Sequence, residues 1–164
     1  ERPARRIALE ARLALRAEVH ARVADVGGAG LHAAALRGAA SPEGSAHVLD
    51  IPGLKVPSIK FWSLWQDSML MGCGALKFLE QDHGEFKSIR IHDNFRRKGN
   101  GINVINHLIN EAKKLNIKKL SIETGAGEFF KPARKLFKQC GFQTCDPFAH
   151  YKEDVNSVYL TKST

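Results

Sequence analysis

The stretch that decides the fold is Ile89-Arg90-Ile91-His92-Asp93-Asn94-Phe95-Arg96-Arg97-Lys98-Gly99-Asn100-Gly101-Ile102, in which a strand-like run leads through a basic turn into a helix. The helix is indicated by apolar residues spaced three and four apart, at Ile105, Leu108, Ile109, Ala112 and Leu115. A helix N-terminus carries unpaired N–H groups and the positive end of the helix dipole. Because glycines let an anion approach those groups, we predict an anion site at Gly99 and Gly101, with Arg96, Arg97 and Lys98 beside it.

Two common phosphate motifs do not fit this turn. A Walker loop has Lys-Ser or Lys-Thr after its last glycine, whereas Gly101 is followed by Ile102 and Asn103. A dinucleotide fingerprint requires a third glycine, which is missing. The remaining pattern is Arg96-x-x-Gly99-x-Gly101 between a strand and a helix.

The chain of 164 residues is long enough for one ordinary hydrophobic core, so we expect a single domain over residues 1–164. It contains no apolar run that would span a membrane and no signal-like apolar core, and we expect a cytoplasmic protein with no membrane partner. The three cysteines form no Cys-x-x-Cys pair and the seven histidines show no ligand spacing. We therefore expect reduced cysteines and no metal.

The net charge of +8 indicates an anionic partner, and most of it lies after residue 50. Residues 1–50 have a net charge of +1, against +7 for residues 51–164. A basic surface also suits nucleic acid, but the chain has no RNA-binding aromatic signature, helix-turn-helix pattern or basic tail. We expect no nucleic-acid partner and keep this function as the weakest alternative.

Residues 1–50 also differ in composition, with 14 alanines, seven arginines and no lysine or phenylalanine. The spacing of Leu15, Val19, Val23 and Val26 predicts a helix that ends at the glycines of residues 27–30. A short alanine-rich helix is predicted over residues 31–36, followed by a loop over residues 38–44.

The rest of the chain alternates as strands and helices. A hairpin is predicted from Pro57 to Leu79 with its turn at Asp67-Ser68, and Gly72 and Gly74 indicate a bulge or a close backbone approach. After a turn at residues 81–84, a third antiparallel strand covers residues 85–91. The strand at residues 118–124 follows the main helix and must run parallel to that third strand. A helix with Pro132 in its first turn and a cap at Gly141 comes next, and short strands at residues 142–145 and 157–161 end the chain.

This order of elements resembles the GNAT N-acetyltransferases, and two motifs carry the resemblance. Arg96-x-x-Gly99-x-Gly101 is similar to the family's coenzyme A signature. Ala133-Arg134-Lys135-Leu136-Phe137-Lys138-Gln139-Cys140-Gly141-Phe142 is similar to its second signature, Ala-x-x-Leu-Tyr-x-x-x-Gly-Phe. The resemblance, in particular to a branch of small bacterial members, implies an α/β fold. That fold has a mixed, mostly antiparallel central sheet flanked by helices, and a parallel strand pair splays apart at the coenzyme A cleft.

The resemblance also implies the cosubstrate, acetyl-coenzyme A, and how it binds. Backbone N–H groups from Arg97 to Ile102 would hold the pyrophosphate, and main-chain groups at Ile89 and Ile91 would pair with the pantetheine arm like an extra strand. The expected cofactor-binding residues are Ile89, Arg90, Ile91, Arg96, Arg97, Lys98, Gly99, Asn100, Gly101 and Ile102.

A transferase of this type must remove a proton from an amine before the amine attacks the thioester. Glu85 and Glu123 are the carboxylates that the predicted strands place best, and His92 ranks third because it follows the strand as a turn residue. The chain departs from the family at Phe137, which occupies the position of the tyrosine that commonly protonates the thiolate. Water or another residue such as Tyr151 would replace it, or turnover is weak. A second departure is that residues 1–6, where the family's first strand would precede the first helix, do not form an obvious strand.

The sequence therefore predicts transfer of an acetyl group from acetyl-coenzyme A to a primary amine of a small molecule or peptide, by direct attack. The alternative is a coenzyme A-binding regulatory module that is catalytically weak or inactive. The sequence does not name the acceptor. It is compatible with a homodimer but does not set the oligomeric state.

Overall fold

The structure is a computed structural model that describes residues 19–23, 51–80 and 82–164; of residues 19–23 and of Ile51 it describes the backbone alone. Its strands are β1 (Val19–Val23), β2 (Ile59–Gln66), β3 (Met69–Glu80), β4 (His83–Ile91), β5 (Lys119–Gly125), β6 (Gln143–Thr144) and β7 (Ser157–Ser163). The α-helices are α1 (Ile51–Leu54), α2 (Asn100–Lys114) and α3 (Lys131–Gln139), and short 3-10 helices precede α2 and α3 at Asp93–Phe95 and Glu128–Phe130.

The seven strands form one sheet in the order β1-β2-β3-β4-β5-β7-β6. Neighbouring strands are antiparallel except for β4 and β5, which are parallel, as the crossover through α2 requires. The predicted mixed, mostly antiparallel α/β fold is therefore confirmed. So are the hairpin around Asp67 and Ser68 and the terminal strands.

The predicted N-terminal helix is wrong at Val19–Val23, where the chain forms β1 and pairs with Gln66–Trp62 of β2. Val19 and Val23 fit a helical stripe, but Val19, Ala21 and Val23 also alternate with His20 and Arg22 as in a strand. In a segment this short, pairing with a neighbouring strand overrides local propensity. The rest of that helix, the predicted helix at residues 31–36 and the loop at residues 38–44 lie outside the described residues.

The sheet buries side chains on both faces, which explains why β2 has adjacent buried apolar residues, as at Phe61 and Trp62. Trp62 and Leu64 join the main core with Phe86 of β4, and the helix face of that core comes from α2. The buried residues of α2 are Val104, Ile105, Leu108, Ile109 and Ala112.

The opposite face carries a second apolar cluster and a row of polar groups. Leu54 of α1 packs there with Phe61 of β2 and with Cys73 and Ala75 of β3. A third cluster, formed by Phe148, Tyr151 and Tyr159, covers the same face beside β5. Because side chains alternate along a strand, Glu85 and Lys87 flank Phe86 and point to this second face.

Candidate active site

An opening in the sheet separates β4 from β5. The two strands pair only at three positions, where His83, Gly84 and Glu85 meet Lys119, Leu120 and Ser121. Beyond Ser121, β5 stays paired with β7 as far as Gly125, so it no longer follows β4. The edge of β4 from Phe86 to Ile91 therefore faces a gap in the sheet, and the gap ends at Glu85.

A bulge in β4 turns this strand away from β5. Cys73 of β3 is opposite Arg90 and Ala75 is opposite Lys87, so that Gly74 alone faces two residues, Ser88 and Ile89. Ser88 has a φ of 52°, a left-handed conformation that fits a bulged residue. The close approach predicted at the β3 glycines is also present, because a Cβ on Gly72 would lie 2.5 Å from the carbonyl oxygen of Arg90.

The N-terminus of α2 lies just beyond the end of β4. Its first hydrogen bonds run from the amides of Ile102 and Asn103 to the carbonyl oxygen of Gly99, so the amides before them have no intrahelical acceptor. Gly99 adopts a left-handed φ of 80°, and a Cβ built there would meet nothing within 4 Å. This combination leaves free N–H groups around an open space at the positive end of a helix.

The basic residues of the turn have two different functions in the structure. Arg96 braces the loop, because its Nε donates to the carbonyl oxygen of Ile91 at 3.2 Å and its guanidinium pairs with Asp93 at 2.8 Å. Arg97 and Lys98 are exposed, and the first turn of α2 contains no acidic residue. Two cations thus stand beside the free amides.

Glu85 lies where the gap ends and is fully buried, at 0 % exposure. Its Oε1 accepts a hydrogen bond from the Tyr151 hydroxyl at 2.6 Å and lies 3.1 Å from Lys87 Nζ. Lys87 Nζ in turn donates to the Tyr151 oxygen at 2.7 Å. Burial, and then the hydrogen bond to Glu85, raise the pKa of Tyr151, so its hydroxyl keeps its proton.

The two oxygens of Glu85 differ. Oε2 is buried and has no hydrogen-bond partner, whereas Oε1 has two. A buried polar atom without a partner is costly, and such atoms often mark functional sites. Glu85, the last residue of β4 that pairs with β5, therefore carries one buried oxygen without a partner.

Glu123 is on the same face of the sheet, two residues beyond the Ser121 that pairs with Glu85. It is only half-buried, and its Oε1 accepts from the Ser157 hydroxyl at 2.7 Å. Both candidate carboxylates thus face one side of the sheet, in different environments.

Comparisons with known proteins identify the family of this chain. A family model described as the acetyltransferase (GNAT) family matches residues 32–142. The uncharacterized N-acetyltransferase YsnE of Bacillus subtilis is 50 % identical over 122 residues, which cover 74 % of this chain and 81 % of YsnE. The chain belongs to the GNAT family. It is therefore an acyltransferase, with acetyl-coenzyme A as its cosubstrate.

Solved structures share the GNAT fold. A candidate acyl-CoA N-acyltransferase from Klebsiella pneumoniae has a TM-score of 0.73 at 24 % identity, covering 90 % of this chain and 99 % of its own. An acetyltransferase from Bacillus subtilis, solved in complex with CoA, has a TM-score of 0.57 at 21 % identity and covers 65 % of this chain and 78 % of its own. At these identities the likeness concerns the fold.

The structure brings the GNAT cofactor residues predicted from the sequence to one end of the gap. Ile89, Arg90 and Ile91 end β4, and Arg96 to Ile102 form the turn and the start of α2. The two glycines differ, because a Cβ on Gly101 would lie 2.6 Å from Leu136 Cδ2 of α3 whereas Gly99 faces open space. Gly101 thus allows α2 and α3 to pack closely, and Gly99 leaves open space beside the free amides.

His92 is a turn residue, as expected, because its Nδ1 accepts from the amide of Asn94 at 3.3 Å and caps the 3-10 helix. Phe137, in the position of the GNAT tyrosine, is 3 % exposed and packs edge-on against Phe142 with ring centroids 5.5 Å apart. It is a residue of the main core and has no proton to give.

Lys87 was not predicted from the sequence, and Tyr151 was predicted only as an alternative source of a proton. His83, Glu85 and Lys87 are alternate residues of one strand, and this pattern would have indicated a polar row on one face. Tyr151 carries no such signal, because it lies in an irregular segment and reaches Glu85 only through the tertiary fold.

A second polar chain lies beside Glu85. The Thr161 hydroxyl donates to the carbonyl oxygen of Leu120, and the Ser121 hydroxyl donates to Thr161, so His83 Nε2 is the donor in its 2.8 Å contact with Ser121. Burial, and then the nearby Lys119, lower the pKa of His83, which favours the neutral ring.

Among the residues that the structure describes there is no group of three or more histidine, cysteine, aspartate or glutamate side chains that would hold a metal ion. None of the helices described is both long and apolar enough to cross a membrane.

Proposed function

We propose that this protein transfers the acetyl group of acetyl-coenzyme A to a primary amine of a small molecule or peptide in the cytoplasm, by direct attack of the amine. The observation that carries the proposal is the gap between β4 and β5, which begins beside the free amides of α2 and ends at a buried carboxylate with a free oxygen. A thioester lying in this gap would bring its reacting carbon to Glu85.

The cosubstrate would bind along the gap. The amides from Arg97 to Gly101 would donate to the pyrophosphate, and Arg97 and Lys98 would balance its charge. The pantetheine arm would pair with the main chain of β4 at Ile89 and Ile91, on the edge that β5 leaves open.

Bound acetyl-coenzyme A supplies the carbonyl carbon that is attacked and the thiolate that leaves. Glu85 would take the proton from the amine, whose lone pair then forms the new C–N bond as the C–S bond breaks. Glu123 is the second candidate, but its exposure and its bond to Ser157 leave it nearer to solvent. Because Phe137 gives no proton and Tyr151 donates to Glu85, water would protonate the thiolate.

The test is release of coenzyme A thiol from acetyl-coenzyme A in the presence of small primary amines and amine-bearing peptides. We expect Glu85→Gln to lower kcat by about 10²- to 10⁴-fold, the usual contribution of a general base, with acetyl-coenzyme A affinity nearly unchanged. Glu123→Gln is the matched control and should lose less than tenfold.

The opposite ranking would make Glu123 the base. Full activity in both variants from pH 6 to 9 would show that neither carboxylate takes the proton. Absence of thiol release with every amine would contradict the proposed function itself.

A further inference from the structure

The buried carboxylate of Glu85 has one oxygen held from two sides and one left free. Tyr151 donates to Oε1 at 2.6 Å, and Lys87 Nζ lies 3.1 Å from the same oxygen. Lys87 Nζ also donates a 2.7 Å hydrogen bond to the Tyr151 hydroxyl oxygen, so Glu85, Lys87 and Tyr151 form a triangle of contacts. Two donors on one oxygen fix the rotation of the carboxylate, and with it the direction of Oε2.

The donors themselves are fixed by packing. Lys87 is 9 % exposed and its Nζ lies 5.4 Å from the centroid of the Tyr151 ring. The Tyr151 ring packs edge-on against Phe148, with centroids 5.1 Å apart, and also against Tyr159 at 5.6 Å. The triangle is therefore held by the aromatic cluster on the second face of the sheet.

A purely structural ion pair does not account for this arrangement. A buried carboxylate that served stability alone would be expected to satisfy both oxygens, because each unsatisfied one carries a desolvation cost. Here both donors converge on Oε1 while Oε2, equally buried, receives none.

We propose that Tyr151 and Lys87 are positioning residues, which hold Oε1 of Glu85 so that Oε2 is reserved for the amine of the acceptor. The inference rests on the proposed function. The amine proton moves to Oε2, the nitrogen lone pair forms the bond to the acetyl carbon as the C–S bond of the thioester breaks, and water protonates the leaving thiolate, so that Tyr151 keeps its own proton throughout. Lys87 Nζ stays beside the same oxygen and holds the carboxylate from its second side.

Other titratable groups also face this position. Lys77 of β3 is directly opposite Glu85, His83 lies on β4, and Glu123 of β5 and Tyr159 of β7 lie on the same face. In the described structure none of them has a hydrogen bond or ion pair with Glu85, so the variants below change the two groups that do.

The test compares Tyr151→Phe with Tyr159→Phe. Each variant removes one hydroxyl from the same aromatic cluster, but the Tyr159 hydroxyl donates to the carbonyl oxygen of Lys152 and does not contact Glu85. We expect Tyr151→Phe to lower kcat by about 10- to 100-fold, with the KM for acetyl-coenzyme A within about twofold of the wild type. The acid limb of its kcat/KM profile should move to higher pH, because a carboxylate that loses a hydrogen-bond donor is protonated more readily.

Lys87 provides a second, independent comparison. Lys87→Met should move the acid limb further toward high pH than Tyr151→Phe does, and Lys87→Arg, which keeps the charge, should move it less than Lys87→Met. Thermal melting of every variant checks that the fold is intact. If Lys87→Met does not fold, the comparison of Tyr151→Phe with Tyr159→Phe still tests the positioning role.

The results separate this inference from the proposed function. If the wild type is active and Glu85→Gln is not, but Tyr151→Phe has the rate and pH profile of Tyr159→Phe, then the positioning role is wrong and the function stands. A loss of rate in Tyr151→Phe with an unmoved acid limb would also overturn it, because that result indicates loose packing alone. A wild type without thiol release would overturn both.

Discussion

Cys73 of β3 is a buried thiol that lies beside the bulge in β4. Cys73 is 2 % exposed, and its Sγ donates to the carbonyl oxygen of Ser88 at the bulge, 3.4 Å away. Burial raises the pKa of this thiol from 9.0 to about 11, although the neighbouring Arg90 opposes the shift. Cys73 is therefore a protonated core residue, and a nucleophilic function for it is excluded at neutral pH.

This burial predicts how stability depends on alkaline pH. Between pH 9 and 11 the unfolded chain loses the Cys73 proton while the folded protein retains it, so the free energy of unfolding falls as the pH rises. The contribution is up to about 1.4 kcal/mol per pH unit within this window. Urea unfolding at pH 8, 9 and 10 should show a smaller decrease for Cys73→Ala than for the wild type, whatever the variant's stability at pH 8.

Cys140→Ala is the matched control for this measurement. Cys140 is only half-buried, and burial raises its pKa while Lys162 opposes the rise. Its removal should change the pH dependence less than removal of Cys73. Equal slopes in the wild type and Cys73→Ala would contradict the prediction.

At the scale of elements, α2 has two basic ends with different functions. Lys113 and Lys114 lie in its last turn, where positive charge complements the negative end of the helix dipole. At the other end, Lys98 precedes Gly99 and the free amides. Positive side chains thus stabilise α2 at its C-terminus, and at its N-terminus a positive side chain would attract an anion.

The two ends of α2 provide a test of the cofactor site. Lys98→Glu should raise the Kd for acetyl-coenzyme A by about 10- to 100-fold, equivalent to about 1.4 to 2.8 kcal/mol, because it places a negative charge where the pyrophosphate would bind. Lys113→Glu makes the same change of net charge at the far end and should stay within about threefold of the wild type.

Isothermal titration at two salt concentrations measures both effects. The difference between the variants should shrink as salt screens the added charge. Equal losses in both variants would show that the net charge of the protein, and not a local site, determines affinity.

At the scale of the whole molecule, the sequence predicted most of the architecture and part of the site. Strongly periodic elements such as α2, and Gly99 beside a basic turn, follow local rules that one chain segment obeys by itself. β1 could not be predicted from local rules, because a five-residue segment takes its conformation from its pairing with β2. The contact between Tyr151 and Glu85 joins residues 66 positions apart, so only the assembled fold could identify it.

The main core joins β2, β3, β4, β5, α2, α3 and β7, and we propose that residues 1–164 unfold as one cooperative domain. Both tryptophans, Trp62 and Trp65, lie on β2, so their fluorescence reports one edge of the sheet. Far-UV circular dichroism reports the helices as well. The two denaturation curves should coincide, as expected for a two-state domain, and separate midpoints would show that the edge unfolds independently.

The short β4–β5 ladder also has a consequence for the order in which the protein is made. β2, β3 and β4 follow one another as hairpins, so these strands can pair as soon as they leave the ribosome. β5 is joined to β4 at three positions but to β7 at seven, and β7 is synthesised well after β5. At about 5–20 residues per second, a nascent chain spends seconds with β4 complete and β5 without its main partner. The gap that we propose as the thioester site therefore takes its shape only after β7 has been translated, although every residue predicted to bind the cofactor was made earlier.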